Sequence, residues 1–571
     1  MLRFLRSDAL PADKHARIVD SAAAKTWLAS MPQPIGVPQL DEMALVLRTL
    51  GAHGVDDGSA NVLPQHKFAI AERIRGVLMP VLNERGGDGR FAMLPLDDDI
   101  VSHFWAMVDA SIALRDAYAW LVSQLADSPV QAEATLTGAT GIGAAPGATN
   151  VTFVSGIVTL HRALDINAQL MLCIQRARWR VPSAIWERHC VLGQLVRDLD
   201  CQDVEVADKL RASATHTCRA AFVMPILIAL TDPAARGSTE YEVVRMAAQR
   251  WSPKVGFRLE RRTDSNSAPA RPVANPGPTL ALASYVVRFD TQSVIQSIDK
   301  RLDALAEGKT PQDAGIGGLR AQAVRELLLL LRHRWSAVSP ADLDSPDRPW
   351  RVAPSGVQVL AVVGFPTRHA LQVDGADLLT DAEKWTLVAE ASDAVRCLRP
   401  YAQPKLGLRR LIGLKLDSAD RDAPFLVGWV EALQGSLPEG ADPTTRRPAA
   451  HMVRVRLAPG LPQILDASID DVEVDGAFLL VTGGAASTGR AATDSTLLSD
   501  AGAAAAITAR DTGGWDAVRA SPREYGLILP HATFRPQRLV KAGRRGVVAT
   551  LRLEELMMRG ADFDLVRFRL A

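Results

Sequence analysis

The chain is poor in cysteine, with five in 571 residues and no C-x-x-C pair. That excludes a disulfide framework and a zinc ribbon, and it fits a reducing compartment. It also lacks a charge surplus of either sign: 65 Lys and Arg face 64 Asp and Glu, for a net charge of +1. A protein that holds nucleic acid over its whole surface shows a marked basic excess, so no nucleic-acid partner is expected. Long apolar runs are missing too. The best candidate, Ala220–Leu230, has 11 residues and contains Pro225, whereas a membrane span needs ~20. The opening twenty residues have no apolar core of signal-peptide length. A soluble, cytoplasmic protein without membrane insertion is expected. G-x-S-x-G, H-E-x-x-H and P-loop patterns are absent, so nothing points to an enzyme, a cofactor or a catalytic residue.

What is present divides the chain in two. A length of 571 residues exceeds the ~250–300 at which single cores stop growing, and 47% hydrophobic residues supply several cores. The first part is helical by period. Leu40, Met43, Ala44 and Leu47 fall on one helix face, as do Ala71, Ile74, Val77, Leu78, Val81 and Leu82. Phe104, Met107, Val108, Ser111, Leu114, Tyr118, Leu121 and Leu125 form a third such stripe. Further helices are expected near 156–179, 184–200, 203–231 and 238–250. A stretch with Pro269, Pro272, Pro276 and Pro278 and no apolar period then reads as a linker.

Beyond it, Ala281–Phe289 reads as a short strand. Asp290 or Thr291 is placed to cap a helix with Val294, Ile298, Leu302 and Leu305 on one face and Gly308 as its stop. Another helix ends near Trp335. From Trp350 onward, short runs rich in β-branched residues lie between Gly, Pro and Asp, the pattern of an antiparallel barrel or sandwich. The expected organisation is an α+β multidomain protein. It comprises an all-α domain over 1–262, a linker over 263–279, a connecting strand and helices over 280–335, and an antiparallel β-barrel domain over 336–571. An insertion near 483–520, rich in Ala, Gly, Ser and Thr, reads as disordered.

Three sets of residues invite a chemical reading. Glycines 138, 141, 143 and 147 lack the preceding strand and following Lys-Ser/Thr of a phosphate cradle, and read as a loop. His189, Cys190, Cys201, His216 and Cys218 lack the i, i+4 pairing of helix-borne metal ligands, so no metal site is expected. The run Arg535–Arg545 carries five basic residues and no acid. Its Arg535, Arg538 and Lys541 are placed to contact phosphate, unless the run is simply a solvated hairpin.

The C-terminal order, from "FDTQSVIQSIDKRLDALAEGKTPQDAGI" and "LLLLLRHRW" through "KWTLVAEASDAVRCL" and "LIGLKL" to "LILPHATFRPQRLV" and "LRLEELMMRGADFDLVRFRL", resembles the long two-part bacterial proteins that end in a PilZ-like β-barrel. The N-terminal "WLASMPQP" with its amphipathic helices is similar to their helical half. The resemblance implies cyclic di-GMP as ligand. It also implies two motifs: R-x-x-x-R leading into the barrel, and D/N-x-S-x-x-G on its surface. Arginine forks onto phosphate and stacks on guanine, and the glycine lets the ligand approach the backbone.

Matched to these motifs, Arg348 is the second arginine, Asp344 stands where the first belongs, and Arg351 lies three residues on. A carboxylate there repels a phosphate; two unit charges at 4 Å interact by about 4 kcal/mol at an effective dielectric of 20. In "EASDAV", Ser392 matches, while Glu390 and Val395 replace the Asp/Asn and the Gly. The ligand motif Arg348, Arg351 and Ser392 is therefore degenerate. The expected function is a non-enzymatic regulator acting through contacts with another protein. Two alternatives stand beside it: a genuine cyclic di-GMP receptor with a remodelled site, and an enzyme with a site assembled from scattered residues in a deep pocket.

Overall fold

The computed structural model describes residues 18, 20–51, 64–84, 93–126, 156–208, 210, 216–261, 279–282, 284–313, 316, 320–336, 350–364, 382–401, 404–417, 425–436, 450–458, 463–470, 472–481, 525–544 and 547–571. The proline-bearing segment expected as a linker lies outside them up to Thr279, as do the glycine-rich loop around 138–147 and the insertion expected near 483–520. The chain divides into two compact units, residues 1–91 with 97–346 and residues 92–96 with 347–571.

The first unit is built on α1 (Ser21–Ala29), α2 (Val37–Gly51), α3 (Pro64–Glu84), α4 (Asp98–Ala126), α5 (Gly156–Arg176), α6 (Ser183–Asp198), α7 (Cys218–Ala229) and α8 (Ser238–Trp251). The apolar stripes read from the sequence are the buried ones: Leu40, Met43, Ala44 and Leu47 on α2, and Phe104, Met107, Leu114, Tyr118 and Leu121 on α4. Asp20 caps α1 by accepting from the Ala22 and Ala23 amides at 2.9 and 2.8 Å, satisfying donors that no helical turn reaches. Among the described residues, α5 is the one helix long and apolar enough to cross a membrane, and 83% of its apolar window is buried inside the fold. It is the central helix of this unit. The apolar run around Ala220–Leu230 forms α7, buried despite Pro225.

Residues 279–336 are built into the same unit. Strand β2 (Gly256–Arg261) pairs with β4 (Tyr285–Asp290), which also pairs with β3 (Thr279–Leu282). Helices α9 (Gln292–Ala306) and α10 (Ala321–Trp335) follow. Thr291 is the N-cap residue of α9, yet its hydroxyl donates to the Trp335 carbonyl at 2.5 Å rather than capping the helix. The Trp335 ring stands edge-on to Trp251 at 5.8 Å and donates to the Leu227 carbonyl at 2.9 Å. Gly308, at φ +86°, ends α9 in the left-handed conformation that glycine adopts at least cost.

The second unit begins with β1 (Met93–Leu94), which pairs with β9 (Leu406–Gly407). Its other strands are β5 (Arg351–Val352), β6 (Gln358–Val363), β7 (Glu383–Ala391), β8 (Ala394–Pro400), β10 (Leu411–Leu416), β11 (Leu426–Ser436), β12 (Ala450–Leu457), β13 (Gln463–Ile469), β14 (Val472–Val481), β15 (Tyr525–Pro530), β16 (Leu539–Arg544), β17 (Val547–Arg559) and β18 (Phe563–Leu570). They make two barrels where the sequence reading expects one. The first closes in the order β6-β7-β8-β12-β11-β10, with β5 sharing an edge of β7. The second closes in the order β13-β14-β15-β18-β17-β16. Taken in sequence order, the six strands of each barrel follow one connection pattern: first, second, third, sixth, fifth, fourth. Closure leaves few open edges, which is how all-β units avoid pairing with other chains.

Each barrel has its own filling. Trp385, Leu387, Val395, Val453 and Val455 are buried in the first. Leu465, Leu479, Leu527, Val540, Leu551, Val566 and Phe568 form one cluster in the second. A shared cluster of Leu411, Val427, Ala458, Phe478, Ile528, Phe563 and Leu565 joins the two. Polar contacts reinforce it: the Leu411 amide donates to Asp562 at 3.0 Å and the Ala561 amide to the Arg409 carbonyl at 2.9 Å. Gly560 permits this approach, since a Cβ there would lie 2.2 Å from the Phe563 ring and 2.7 Å from the Arg409 oxygen.

Candidate functional site

The stretch leading into the first barrel is described from Trp350 onward and holds one of the two motif arginines. Arg348 and Asp344 lie outside the described residues. Arg351, on β5, reaches the Glu390 carboxylate at 2.9 Å, and Glu390 is only 3% exposed. The indole of Trp350, between the two arginines in sequence, lies under the Arg396 guanidinium at 4.1 Å. Glu390 therefore replaces the expected Asp/Asn with an acid already neutralised by the neighbouring arginine. Val395 is fully buried and pairs with Glu390 and Val455. Ser392 is exposed on the two-residue turn between β7 and β8. The structure brings Arg351 and Ser392 to one end of β7, but Val395 fills the position where a ligand would meet glycine backbone.

A second D-x-S pattern was not singled out by the sequence reading. "DASIDD", Asp466–Asp471, runs along β13 into β14, with Asp466 and Ser468 at the motif spacing and Asp471 in the glycine position. Asp471 itself lies outside the described residues. On β13, Leu465, Ala467 and Ile469 point into the barrel, while Asp466 is exposed and Ser468 half-buried on the other face, as the period of two requires. The neighbouring strand is β16, from the basic run. Ser468 stands opposite Lys541 and Asp466 opposite Gly543. Lys541 is exposed. Arg538 donates to Asp470 at 2.9 Å and to the Thr533 carbonyl at 3.0 Å, and Arg535 is exposed nearby in sequence. The D-x-S stretch and the basic run, far apart in sequence, thus meet on one face of the second barrel.

The R-x-x-x-R spacing also reappears before this barrel, as Arg447 and His451. Arg447 lies outside the described residues. His451 is buried inside the first barrel, its ring 5.0 Å from Tyr401. Burial keeps this imidazole neutral, with its pKa lowered to about 4, so it offers no exposed cation.

The helical unit holds a different arrangement. A cavity of about 470 Å³ is lined by His161, Asp165, Gln169, Arg176, His216, Glu242 and Arg245, with Leu172, Cys173, Ala221 and Met224 between them. Burial lowers the His161 pKa to about 4 and pushes the Cys173 thiol up to about 12. The pocket that the enzyme alternative calls for is present, but its imidazole is a poor base and its thiol a poor nucleophile near neutral pH. His189 is not part of it. Its Nε2–H donates to the Phe222 carbonyl at 2.9 Å, its Nδ1 accepts from the Asn167 side-chain amide at 3.1 Å, and the ring stacks on Phe222. Gly193 makes room for that stack; a Cβ there would lie 2.4 Å from the Phe222 ring. Among the described residues no group of three or more His, Cys, Asp or Glu is placed to hold a metal ion.

Fold and site together define a two-part protein, a helical unit followed by paired antiparallel β-barrels. Residues 22–262, under half of the chain, match the family described as cyclic-di-GMP receptor FimW, N-terminal domain. The helical unit is thus similar to the N-terminal domain of a cyclic-di-GMP receptor, and the barrels behind it are consistent with that two-part design. No curated protein and no solved structure matches the chain.

Proposed function

We propose that this protein is a non-enzymatic, cytoplasmic regulator of the cyclic-di-GMP receptor type, and that its ligand face is on the second barrel. The observation that carries the reading is the register of β13 against β16, which sets Ser468 opposite Lys541 and Asp466 opposite Gly543. Cyclic di-GMP offers anionic phosphates and guanine N–H donors. Lys541 supplies a positive charge for the former, and the exposed Asp466 carboxylate and Ser468 hydroxyl supply acceptors for the latter. The helical unit and the first barrel would pass the bound state to another protein. The experiment is retention of labelled cyclic di-GMP by the purified chain, competed by unlabelled cyclic di-GMP and not by GTP. Absence of retention would defeat the reading.

A second reading is an adaptor that works through protein contacts without the ligand. Asp471 in the glycine position and the Asp470 carboxylate on Arg538 favour it. Lack of retention, with the fold intact, is its expected outcome.

A further inference from the structure

Three adjacent strands of the second barrel, β13, β16 and β17, turn alternate residues outward, and their registers set those residues in rows. Asp466, Gly543 and Val548 form one row, and Ser468, Lys541 and Thr550 the next. Leu539 and Arg552 stand opposite each other beyond these. Neighbouring strands lie about 4.8 Å apart, and successive outward residues of one strand about 7 Å, so the three rows cover roughly 10 Å by 14 Å.

Gly543 is the unusual member of the first row. Glycine in a strand interior weakens the strand, and the usual reasons for one do not apply here. Gly543 does not adopt a positive φ. A Cβ would meet its nearest neighbours, all atoms of Asp466, at 3.4, 3.5 and 3.8 Å, which are ordinary van der Waals distances. Backbone geometry and packing would accept a side chain, so what its absence supplies is an open notch in the outer face. A strand glycine of this kind marks a place where a ligand or another backbone approaches closely. On one side of the notch is an acid, with Asp466 Oδ2 3.8 Å from the Cβ position. On the other is Val548, an apolar side chain that is 66% exposed.

The third row supplies the opposite charge. Arg538, Arg567 and Arg569 of this barrel are each held by an acid, Asp470, Glu555 and Glu554, at 2.9, 2.7 and 2.7 Å. Arg552 is exposed and makes no ion pair among the described residues. The Asp466 carboxylate is likewise exposed, with no hydrogen-bond partner among the described residues. An acidic and apolar end floored by glycine is thus joined to a cationic end across Lys541.

We propose that a guanine ring of cyclic di-GMP lies over Gly543, with its N–H edge on Asp466 and its far side against Val548, and that Arg552 holds the phosphate beyond Lys541. Guanine presents two adjacent N–H donors, which the two oxygens of an open carboxylate accept. A side chain at Gly543 would lift the ring from the sheet and away from that carboxylate. Arg552 forks onto two phosphate oxygens, which Lys541, a point charge, does not. None of Gly543, Val548 and Arg552 belongs to a motif-like stretch. The inference rests on the second-barrel reading and adds to it the floor, the apolar wall and the guanidinium.

The test is calorimetric titration of cyclic di-GMP into the full chain and its Gly543→Val, Arg552→Ala, Arg569→Ala and Lys541→Ala variants. Valine suits a strand and fills the notch, so Gly543→Val should fold and bind at least about tenfold more weakly. Arg552→Ala, at an exposed position, should also bind at least about tenfold more weakly, and it serves if the valine variant does not fold. Arg569→Ala, whose guanidinium is already held by Glu554, should bind as the parent does. Binding weakened in Lys541→Ala but unchanged in Gly543→Val and Arg552→Ala would overturn this inference and keep the second-barrel reading. A loss in Arg569→Ala equal to that in Arg552→Ala would mean bulk charge in place of a seat for the ligand, and would overturn it as well. A parent chain that binds no cyclic di-GMP would defeat both.

Discussion

The two barrels share a connection pattern and differ in what they do with their polar groups. In the first, charge is turned inward. Arg399 is almost fully buried, holds both Glu383 oxygens at 2.7 Å and also donates to the Pro404 carbonyl. Glu390 is likewise buried and answered by Arg351. In the second barrel the buried acid Asp564 is matched by Arg559 and the Phe534 amide at 2.9 and 3.0 Å, but the D-x-S stretch and the basic run lie on an outer face. The motif-like stretches also differ in topology. Ser392 sits on the turn between the second and third strands of its barrel, whereas Ser468 leads into the turn between the first and second strands of its own. A shared fold therefore does not carry a shared site; the outward-facing strand residues decide it.

The largest effect should come from breaking the inward charge of the first barrel. Arg399→Met leaves Glu383 with a buried, unanswered charge and should cost about 3–5 kcal/mol, measured by urea denaturation of the full chain. A variant as stable as the parent would mean that the clamp is not needed. Next is the seam between the barrels. Gly560→Ala drives a methyl into the Phe563 ring and the Arg409 carbonyl and should cost about 1–3 kcal/mol by overpacking. Loss of cooperativity in the same denaturation curve would sharpen the view that the barrels unfold together.

Acid should separate the barrels in a third way. The folded pKa of His451, about 4, lies below its ordinary value of 6.5 because burial disfavours the charged ring. The unfolded chain therefore binds more protons between these values, and stability contributed by the neutral ring is full above pH 6.5 and is lost as pH falls toward 4. His451→Phe should flatten that part of the pH dependence of stability; an unchanged slope would count against the assignment. His161 and His189, both lowered to about 4, act in the same direction in the helical unit. The smallest effect is expected at Ser392→Ala, an exposed turn position, which should leave both stability and cyclic di-GMP binding within error of the parent.

Much of the architecture was legible in the sequence. The stripes on α2 and α4, the N-cap position at Thr291 and the stop at Gly308 are local signals that tertiary packing preserved. The number of barrels was not legible. Strands of one barrel and of two have the same period of two, and the sequence "PGLP" between β12 and β13 reads like any other turn signal. The candidate site was missed for a related reason. Asp466 and Ser468 lie far from the segment after α10 where the family's motifs fall, and no sequence period reveals that β13 lies beside β16. The basic run was noticed for its charge, but its neighbour Ser468 is 73 residues away. The cavity in the helical unit had a weak local signal, the recurrence of His161, Asp165 and Gln169 at intervals of four on an apolar helix. Its other walls come from α7 and α8, which only packing brings together.

Under the proposed function, the ligand face belongs to the second barrel and not to the first. Calorimetric titration of cyclic di-GMP into the parent, Lys541→Ala and Arg351→Ala chains tests it most directly. The parent is expected to bind, Lys541→Ala to bind at least tenfold more weakly (about 1.4 kcal/mol), and Arg351→Ala to bind as the parent does. Binding lost in Arg351→Ala and kept in Lys541→Ala would contradict it, as would a folded parent chain that takes up no cyclic di-GMP at all.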